Sequence, residues 1–444
     1  MRAFYTICGV LFTVCLLTLA VKQFNSRSRL PDIPIISRSA GESISPSPDA
    51  SGPAANTLIA RGKYLATAGN CVTCHSRGGA VPFSGGLPFE TPFGTIYSSN
   101  ITPDPEVGIG SWTSADFTRA MRYGVAPNGR HLFPVFPYIA FTKVADDDVT
   151  AIYAYLQTIR PSKYSPPSNG LFFDQRWAIS VWNELYFTPG RFTADASKSS
   201  EWNRGAYLVE GLGHCGSCHT PRNFLMAEKS SHAFAGGRLR AGVSGEQIGT
   251  WSAANLTSAR DGLAAWSVDD LVKYLSTGVS RRGGTFGPMN EVVMNSTMQL
   301  TREDVRAIAV YLKGLPNLEI AGDTPPAQAK PGEAVYTEHC ESCHLASGRG
   351  GMFGGPPLAG SAVVQTEDPA TLINVILYGP AVPSPVSLGG WETMKPYKDV
   401  LSNAEVASVS NYIRGTWSNR GRPISADDVR LQRFATDSVA VSGK

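Results

Sequence analysis

Apolar positions recur at helical spacing in three places along the chain. Val149, Ile152, Leu156 and Ile159 form the first set, Val305, Ile308, Ala309 and Leu312 the second, and Val406, Val409 and Ile413 the third. Steps of three and four residues put each set on one face of a helix. Tyr155, Tyr311 and Tyr412 hold matching places in these helices. Thr301 with Asp304, and Ser402 with Glu405, have the spacing of a capping box and predict where the second and third helices begin. Further upstream, Arg61-Gly62-Lys63-Tyr64-Leu65, Arg204-Gly205-Ala206-Tyr207-Leu208 and Pro331-Gly332-Glu333-Ala334-Val335-Tyr336 each predict a short helix whose Gly lets a neighbour approach closely. The middles match as well. Asn100-Ile101-Thr102 leads to Trp112 and a helix stopping at Gly124, and Asn255-Leu256-Thr257 leads to Trp266 and a helix stopping at Gly278. A third helix over Leu372 to Leu377 stops at Gly379, but the Asn-x-Thr segment is missing there. The chain thus reads as one mainly α unit repeated three times, over 57–160, 200–318 and 330–416.

The remaining stretches connect or tether. Residues 161–199 and 319–329 link the repeats, and 417–444 mix charged and small residues as a partner-contacting or loosely packed tail. At the start, Met1-Arg2-Ala3 precedes an apolar run from Phe4 to Val21, followed by Lys22. A charged start before an apolar run fits an export signal, and its length is near the lower limit for a membrane span. Residues 1–25 are therefore either a cleaved signal or a retained anchor, and both readings export the rest of the chain. Residues 26–56, rich in Pro and Ser, form a flexible tether.

Composition narrows the classes. Of 444 residues, 42% are hydrophobic and 17% charged, which excludes a disordered chain. The formal charge of +3 gives no footprint for nucleic acid. The 45 Gly and 31 Pro favour short elements and loops over a large sheet.

The chemistry lies in the cysteines. Cys8 and Cys15 fall in the N-terminal apolar run; the other six form three motifs, Cys71-Val72-Thr73-Cys74-His75, Cys215-Gly216-Ser217-Cys218-His219 and Cys340-Glu341-Ser342-Cys343-His344. Cys-x-x-Cys-His attaches c-type haem. Two thiols at this spacing reach the two vinyl groups of one porphyrin, and the next residue offers its imidazole to the iron. A zinc ribbon needs two close Cys pairs, whereas these pairs lie far apart. A thioredoxin-like site accounts for one pair, and neither it nor disulfides account for the three histidines. The pattern Gly211-Leu212-Gly213-His214-Cys215-Gly216 matches a dinucleotide fingerprint, but it overlaps a haem motif and no strand precedes it. The sequence therefore predicts three covalently bound haem c groups, with His75, His219 and His344 as axial ligands.

The opposite axial position differs between repeats. Met raises the potential of a cytochrome c. Gly278 is followed by Gly287-Pro288-Met289, and Gly379 by Thr393-Met394-Lys395-Pro396. Met289 and Met394 are the predicted ligands, with Met294 and Met298 as rivals for the second haem. In the first repeat Gly124 leads to Pro134-Val135-Phe136-Pro137-Tyr138, so Phe136 stands at the methionine position and cannot bind iron. His131 on the same loop, Met121 on the preceding helix, or an open iron remain as alternatives.

The segments Tyr97 to Gly110 (YSSNITPDPEVGIG), Trp202 to Asn223 (WNRGAYLVEGLGHCGSCHTPRN) and Gly287 to Leu315 resemble the triple-haem cytochrome c subunits of membrane-bound bacterial dehydrogenases acting on alcohols, gluconate, sorbitol or aldehydes. The resemblance implies three tandem cytochrome c domains at the periplasmic face of the inner membrane. It also implies a catalytic partner holding pyrroloquinoline quinone, flavin or molybdopterin, and onward transfer to ubiquinone or a terminal oxidase. Families of the alcohol-dehydrogenase type usually read Met-Pro-Tyr where this chain has Phe136-Pro137-Tyr138; the Phe form resembles cytochromes that partner molybdenum hydroxylases. No nucleophile–base pair of recognisable spacing supports an organic reaction on the chain itself. A haem enzyme such as a peroxidase, using an open iron at the first haem, where Phe136 stands, is the second reading and a ligand-binding sensor the third; a free-standing electron shuttle to a terminal oxidase is a variant of the first.

Overall fold

The computed structural model describes residues 53–171, 177–243, 247–319, 330–351, 354–380 and 391–442. The N-terminal apolar run, nearly all of the tether and the linker 320–329 lie outside these residues. Helix already begins at Pro53, inside the stretch read as tether.

Each repeat is built on an opening helix crossed by a closing one. The pairs are Pro53–Ala68 with Asp146–Leu156, Ser200–Tyr207 with Arg302–Lys313, and Glu333–His339, with the 3-10 turn Lys330–Gly332 before it, against Asn403–Gly415. The repeated glycine makes the crossing. A Cβ on Gly62, Gly205 or Gly332 would come within 1.9, 2.0 and 2.0 Å of the Ala151, Ala307 and Ser408 carbonyl oxygens. The predicted apolar faces are inside: Val149, Ile152, Leu156, Val305, Leu312, Val406, Val409 and Ile413 are all buried.

Capping shows how the first two repeats join. The box predicted at Ser402 is formed, with Ser402 N–H donating to Glu405 Oε2 at 2.8 Å and Glu405 N–H to Ser402 Oγ at 3.3 Å. The box predicted at Thr301 is not. Thr301 Oγ1 accepts from Asp304 N–H at 3.2 Å, but the Asp304 carboxylate turns away from the Thr301 amide. It takes Arg204 Nε at 2.8 Å, Arg204 Nη2 at 2.7 Å and, from the first repeat, the Tyr64 hydroxyl at 2.6 Å. The same hydroxyl accepts the Thr301 N–H at 3.2 Å. The arrangement is reciprocal. Tyr207 of the second repeat donates to Asp148 Oδ2 at 2.6 Å and accepts Ala145 N–H at 3.1 Å, while Arg61 Nε donates to Asp148 Oδ1 at 2.8 Å. Each tyrosine thus caps the other repeat's closing helix, replacing the local box. The third repeat has Pro331 where the others have Arg, and its Glu405 keeps the local box.

The cores follow this division. Among the described residues, one apolar core joins Leu65, Ile152, Leu208, Leu212, Ile308 and Leu312 across the first two repeats. A second holds Tyr336, Ile373, Leu377, Val406, Val409 and Val429. Strands are few, as predicted. An antiparallel pair Pro88–Thr91 and Gly94–Tyr97 carries the short strand Gly170–Leu171 at its edge, and Val279–Ser280 pairs with Gly283–Gly284. The longest pair, Gly237–Val243 with Gln247–Ala253, is a hairpin of the second repeat gripped by the third. Ser252 and Thr371 exchange hydrogen bonds, with Ser252 N–H to Thr371 Oγ1 at 2.8 Å and Thr371 N–H to Ser252 Oγ at 3.1 Å. Asn374 Nδ2 and Gln432 Nε2 both donate to the Thr250 carbonyl at 2.8 Å.

Gln432 lies in the stretch read from sequence as a partner-contacting or loosely packed tail, and the structure corrects the loosely packed alternative. The helix Ala426–Ser442 lies on the closing helix Asn403–Gly415 and on the strand Gln247–Ala253, with Val429 fully buried. Trp417 Nε1 donates to the Ala346 carbonyl at 2.9 Å, and its ring sits 5.2 Å from Tyr336. The tail's polar residues face other polar groups indoors, so its composition hides its burial. The connector also folds back: its helix Trp177–Tyr186 accepts the Tyr138 hydroxyl on Asn183 Oδ1 at 2.6 Å.

Candidate haem sites

Each cysteine motif closes on a short helix ending in its histidine: Cys71–His75, Gly216–His219 and Glu341–His344. Asn70 and His214, the residues before the first cysteine, take left-handed backbone at φ 50° and 35°, which turns the chain out of the opening helix.

The three imidazoles are oriented alike. His75 Nδ1 lies 2.7 Å from the Ser99 carbonyl, His219 Nδ1 2.7 Å from the Ala254 carbonyl, and His344 Nδ1 2.9 Å from the Pro356 carbonyl. A carbonyl only accepts, so each Nδ1 carries the proton and each Nε2 keeps a lone pair for a metal. This explains the repeated Asn-x-Thr segment, which follows the accepting carbonyl directly. Asn100 Oδ1 takes Thr102 N–H at 2.9 Å, and its Nδ2 donates to Ser162 O at 2.7 Å. Asn255 does the same with Thr257 N–H at 2.8 Å and Leu318 O at 2.8 Å. In the third repeat, which lacks the segment, the Pro356 carbonyl serves instead.

Burial pushes the thiol pKa of Cys71, Cys74 and Cys215 up to about 12 and of Cys340 to about 11. A reactive redox thiol has a lowered value, the opposite direction to these four. No cluster of three or more His, Cys, Asp or Glu side chains able to hold a metal ion occurs among the described residues. The donor set fits covalently held haem: paired, partly buried thiols, then an imidazole with a free Nε2. Haem would supply one-electron chemistry there, and the chain holds and orients it.

The residues predicted for the opposite axial positions are spread as follows. Met289 is the second residue of the helix Pro288–Asn295 and packs on the first core, and Met394 lies in an irregular segment against the second. Met294 sits later on the Met289 helix, and Met298 lines a surface cleft with Val272, Lys273 and Arg302. Met121 is buried in the core on the helix Ser114–Tyr123. His131 lies half-buried with Nδ1 3.5 Å from Asn183 Nδ2, and burial lowers its pKa. Phe136 packs against Phe141 at 5.4 Å and Tyr138 at 6.5 Å between ring centroids.

Sequence reasoning missed the junction between the first two motifs. His214 of the second repeat stands half-buried and edge-on to Phe141 of the first, with Nε2 3.3 Å from the Gly69 carbonyl. Asn295 Nδ2 reaches into the first motif to donate to Thr73 Oγ1 at 2.8 Å. The pairing of Arg61 with Tyr64 and of Arg204 with Tyr207, absent from the third repeat, was the available signal.

Comparison with known proteins agrees with this geometry. The cytochrome c family model matches residues 59–160, and that of cytochrome c oxidase, cbb3-type, subunit III, matches 327–413. The chain is 39% identical to the cytochrome c subunit of alcohol dehydrogenase (quinone) from Gluconobacter oxydans, over 87% of this chain and 84% of that one. It is 37% identical to the gluconate 2-dehydrogenase cytochrome c subunit of Pantoea cypripedii, over 85% and 90%. It is also 40% identical to a nicotinate dehydrogenase subunit of Pseudomonas putida, covering 80% of this chain but only 30% of that longer protein. With c-type haem motifs, helical cytochrome c modules and relatives aligned over most of their length, the chain belongs to the family of cytochrome c subunits of dehydrogenases, proteins of electron transfer.

Proposed function

We propose that the chain carries three c-type haems in three tandem modules. On this reading it takes electrons from a catalytic dehydrogenase subunit oxidising an alcohol, aldehyde or related substrate. It passes them to ubiquinone or a terminal oxidase at the periplasmic face of the inner membrane. The observation that carries the reading is the threefold Nδ1–carbonyl bond behind His75, His219 and His344, which readies one imidazole per motif for iron. Cys71 with Cys74, Cys215 with Cys218, and Cys340 with Cys343 hold the porphyrins. Met289 and Met394 complete the second and third sites. At the first site Phe136 occupies the methionine position, leaving His131, with Met121 as its rival.

The relatives named above are subunits of alcohol, gluconate and nicotinate dehydrogenases, which supports a large redox partner for this chain. Among the described residues no helix is long and apolar enough to cross a membrane, so attachment falls to the N-terminal run or to the partner.

The test is expression in a host with cytochrome c maturation, gentle solubilisation of the membrane fraction, and identification of what co-purifies. A large quinoprotein, flavoprotein or molybdenum subunit is the expected companion. Purification of the haem chain alone at every salt concentration would overturn the subunit reading in favour of a free shuttle.

A further inference from the structure

The second and third sites are joined by an indole that neither haem motif requires. Trp391 stands three residues before Met394. Its ring lies against Gly284, on the strand that leads to Met289; a Cβ on Gly284 would come 3.2 Å from Trp391 Cζ3. The residue after Trp391 is tied to the third motif, since Glu392 N–H donates to the Gly354 carbonyl at 3.0 Å. Gly354 in turn lies on the Cys343 carbonyl, where a Cβ would come within 2.4 Å. One side of Trp391 therefore belongs to the rim of the third site, and the other touches the loop of the second.

That loop is held from a second direction by Trp251, whose buried ring lies where a Cβ on Gly287 would meet Cζ3 at 2.5 Å. Trp251 is flanked by Thr250 and Ser252, the residues the third repeat grips through Asn374, Gln432 and Thr371. The contact between the two loops is thus fixed by the fold. An aromatic ring in van der Waals contact carries an electron across such a junction better than a gap of the same width, because its π orbitals extend over the whole span.

We infer that Trp391 is the bridge across which the second and third haem sites exchange electrons. The inference rests on the proposed ligation by Met289 and Met394. One electron passes from ferrous iron on one side to ferric iron on the other. No bond forms or breaks, no proton moves, and the indole is left unchanged.

The test uses the haem-loaded full chain and its Trp391→Ala and Trp391→Phe variants, with exposed Trp177→Ala as a control. Internal electron exchange is followed after flash reduction, and hydrogen exchange is read at the amides of residues 279–287. In Trp391→Ala the fast exchange phase is expected to be lost and amide protection at 279–287 reduced. Trp391→Phe keeps most of both, and Trp177→Ala matches the parent. Unchanged electron exchange in Trp391→Ala, with haem content and potentials as in the parent, overturns the inference. If Trp391→Ala fails to take up haem, Trp391→Phe decides: exchange as slow as in a chain lacking the third haem overturns the aromatic bridge. Loss of methionine ligation is separate, because it shows in the absorption spectrum of the parent itself.

Discussion

A chain with Cys215 and Cys218 both replaced by serine is expected to lose one haem and to loosen the first module along with the second. The same change at Cys340 and Cys343 is expected to cost one haem and leave the first two modules intact. The asymmetry comes from the cores. Cys215 packs on the core that also holds Leu65, Ile152 and Phe117 of the first repeat, whereas Cys340 packs on the separate core around Ile373 and Val406. The polar junction points the same way, because His214, one residue before Cys215, reaches the Gly69 carbonyl beside the first motif. Haem content per chain and hydrogen exchange along the helix Pro53–Ala68 give the readout. Undiminished protection of that helix in the Cys215/Cys218 variant would mean that the first two repeats fold independently.

The second large effect is expected at Asp304. Replacing it by alanine leaves Arg204 and Tyr64 without their acceptor at the joint between repeats. Breaking a fully buried pair costs roughly 3–5 kcal/mol; because Arg204 is 38% exposed and solvent screens it, about 2 kcal/mol is expected here. Tyr64→Phe removes the hydroxyl's bond to the carboxylate and the bond it accepts from the Thr301 N–H, and should cost about 1.5 kcal/mol, the lower end for a hydrogen bond to a charged group. The equivalent acid of the third repeat, Glu405, serves only its own helix end, so its replacement should cost far less. The linkage to pH has a definite sign. Burial raises the Asp304 pKa, but the Arg204 and Tyr64 hydrogen bonds outweigh it and hold the carboxyl below its ordinary value. Its contribution is therefore fully present above the unfolded carboxyl value near about 3.9 and is lost as pH falls through the folded value. Urea midpoints of the three variants at pH 7 and in acid measure both effects. Equal destabilisation at Asp304 and Glu405 would remove the cross-repeat capping from the account.

Much of the site was legible in the sequence because covalent haem attachment demands fixed residue types at fixed spacing. The amphipathic faces were legible for a similar reason, since burial along a helix leaves a period. What escaped was carried by groups that have no sequence signature. The carbonyls of Ser99, Ala254 and Pro356 hold the histidines, and any residue has a carbonyl. The Asn-x-Thr repeat was visible, but its task of fixing the preceding carbonyl appears only in three dimensions. The capping box at Thr301 failed because a tyrosine more than 200 residues away competes for the same carboxylate. The strand pair Gly237–Val243 with Gln247–Ala253 and the C-terminal helix escaped because the contacts that join them to the third repeat include many polar groups. Thr250, Ser252, Thr371, Asn374 and Gln432 are buried as hydrogen-bonded partners, and no apolar alternation marks them.

The central claim is that this one chain passes electrons through three haems. A coulometric redox titration of the purified, haem-loaded chain tests it most directly. The account predicts uptake of three electrons per chain, with the second and third haems, for which Met289 and Met394 are the proposed ligands, titrating above the first if His131 binds its iron, since methionine raises the potential. Uptake of two electrons or fewer by a chain whose six motif cysteines are all alkylated by haem vinyl groups would contradict it.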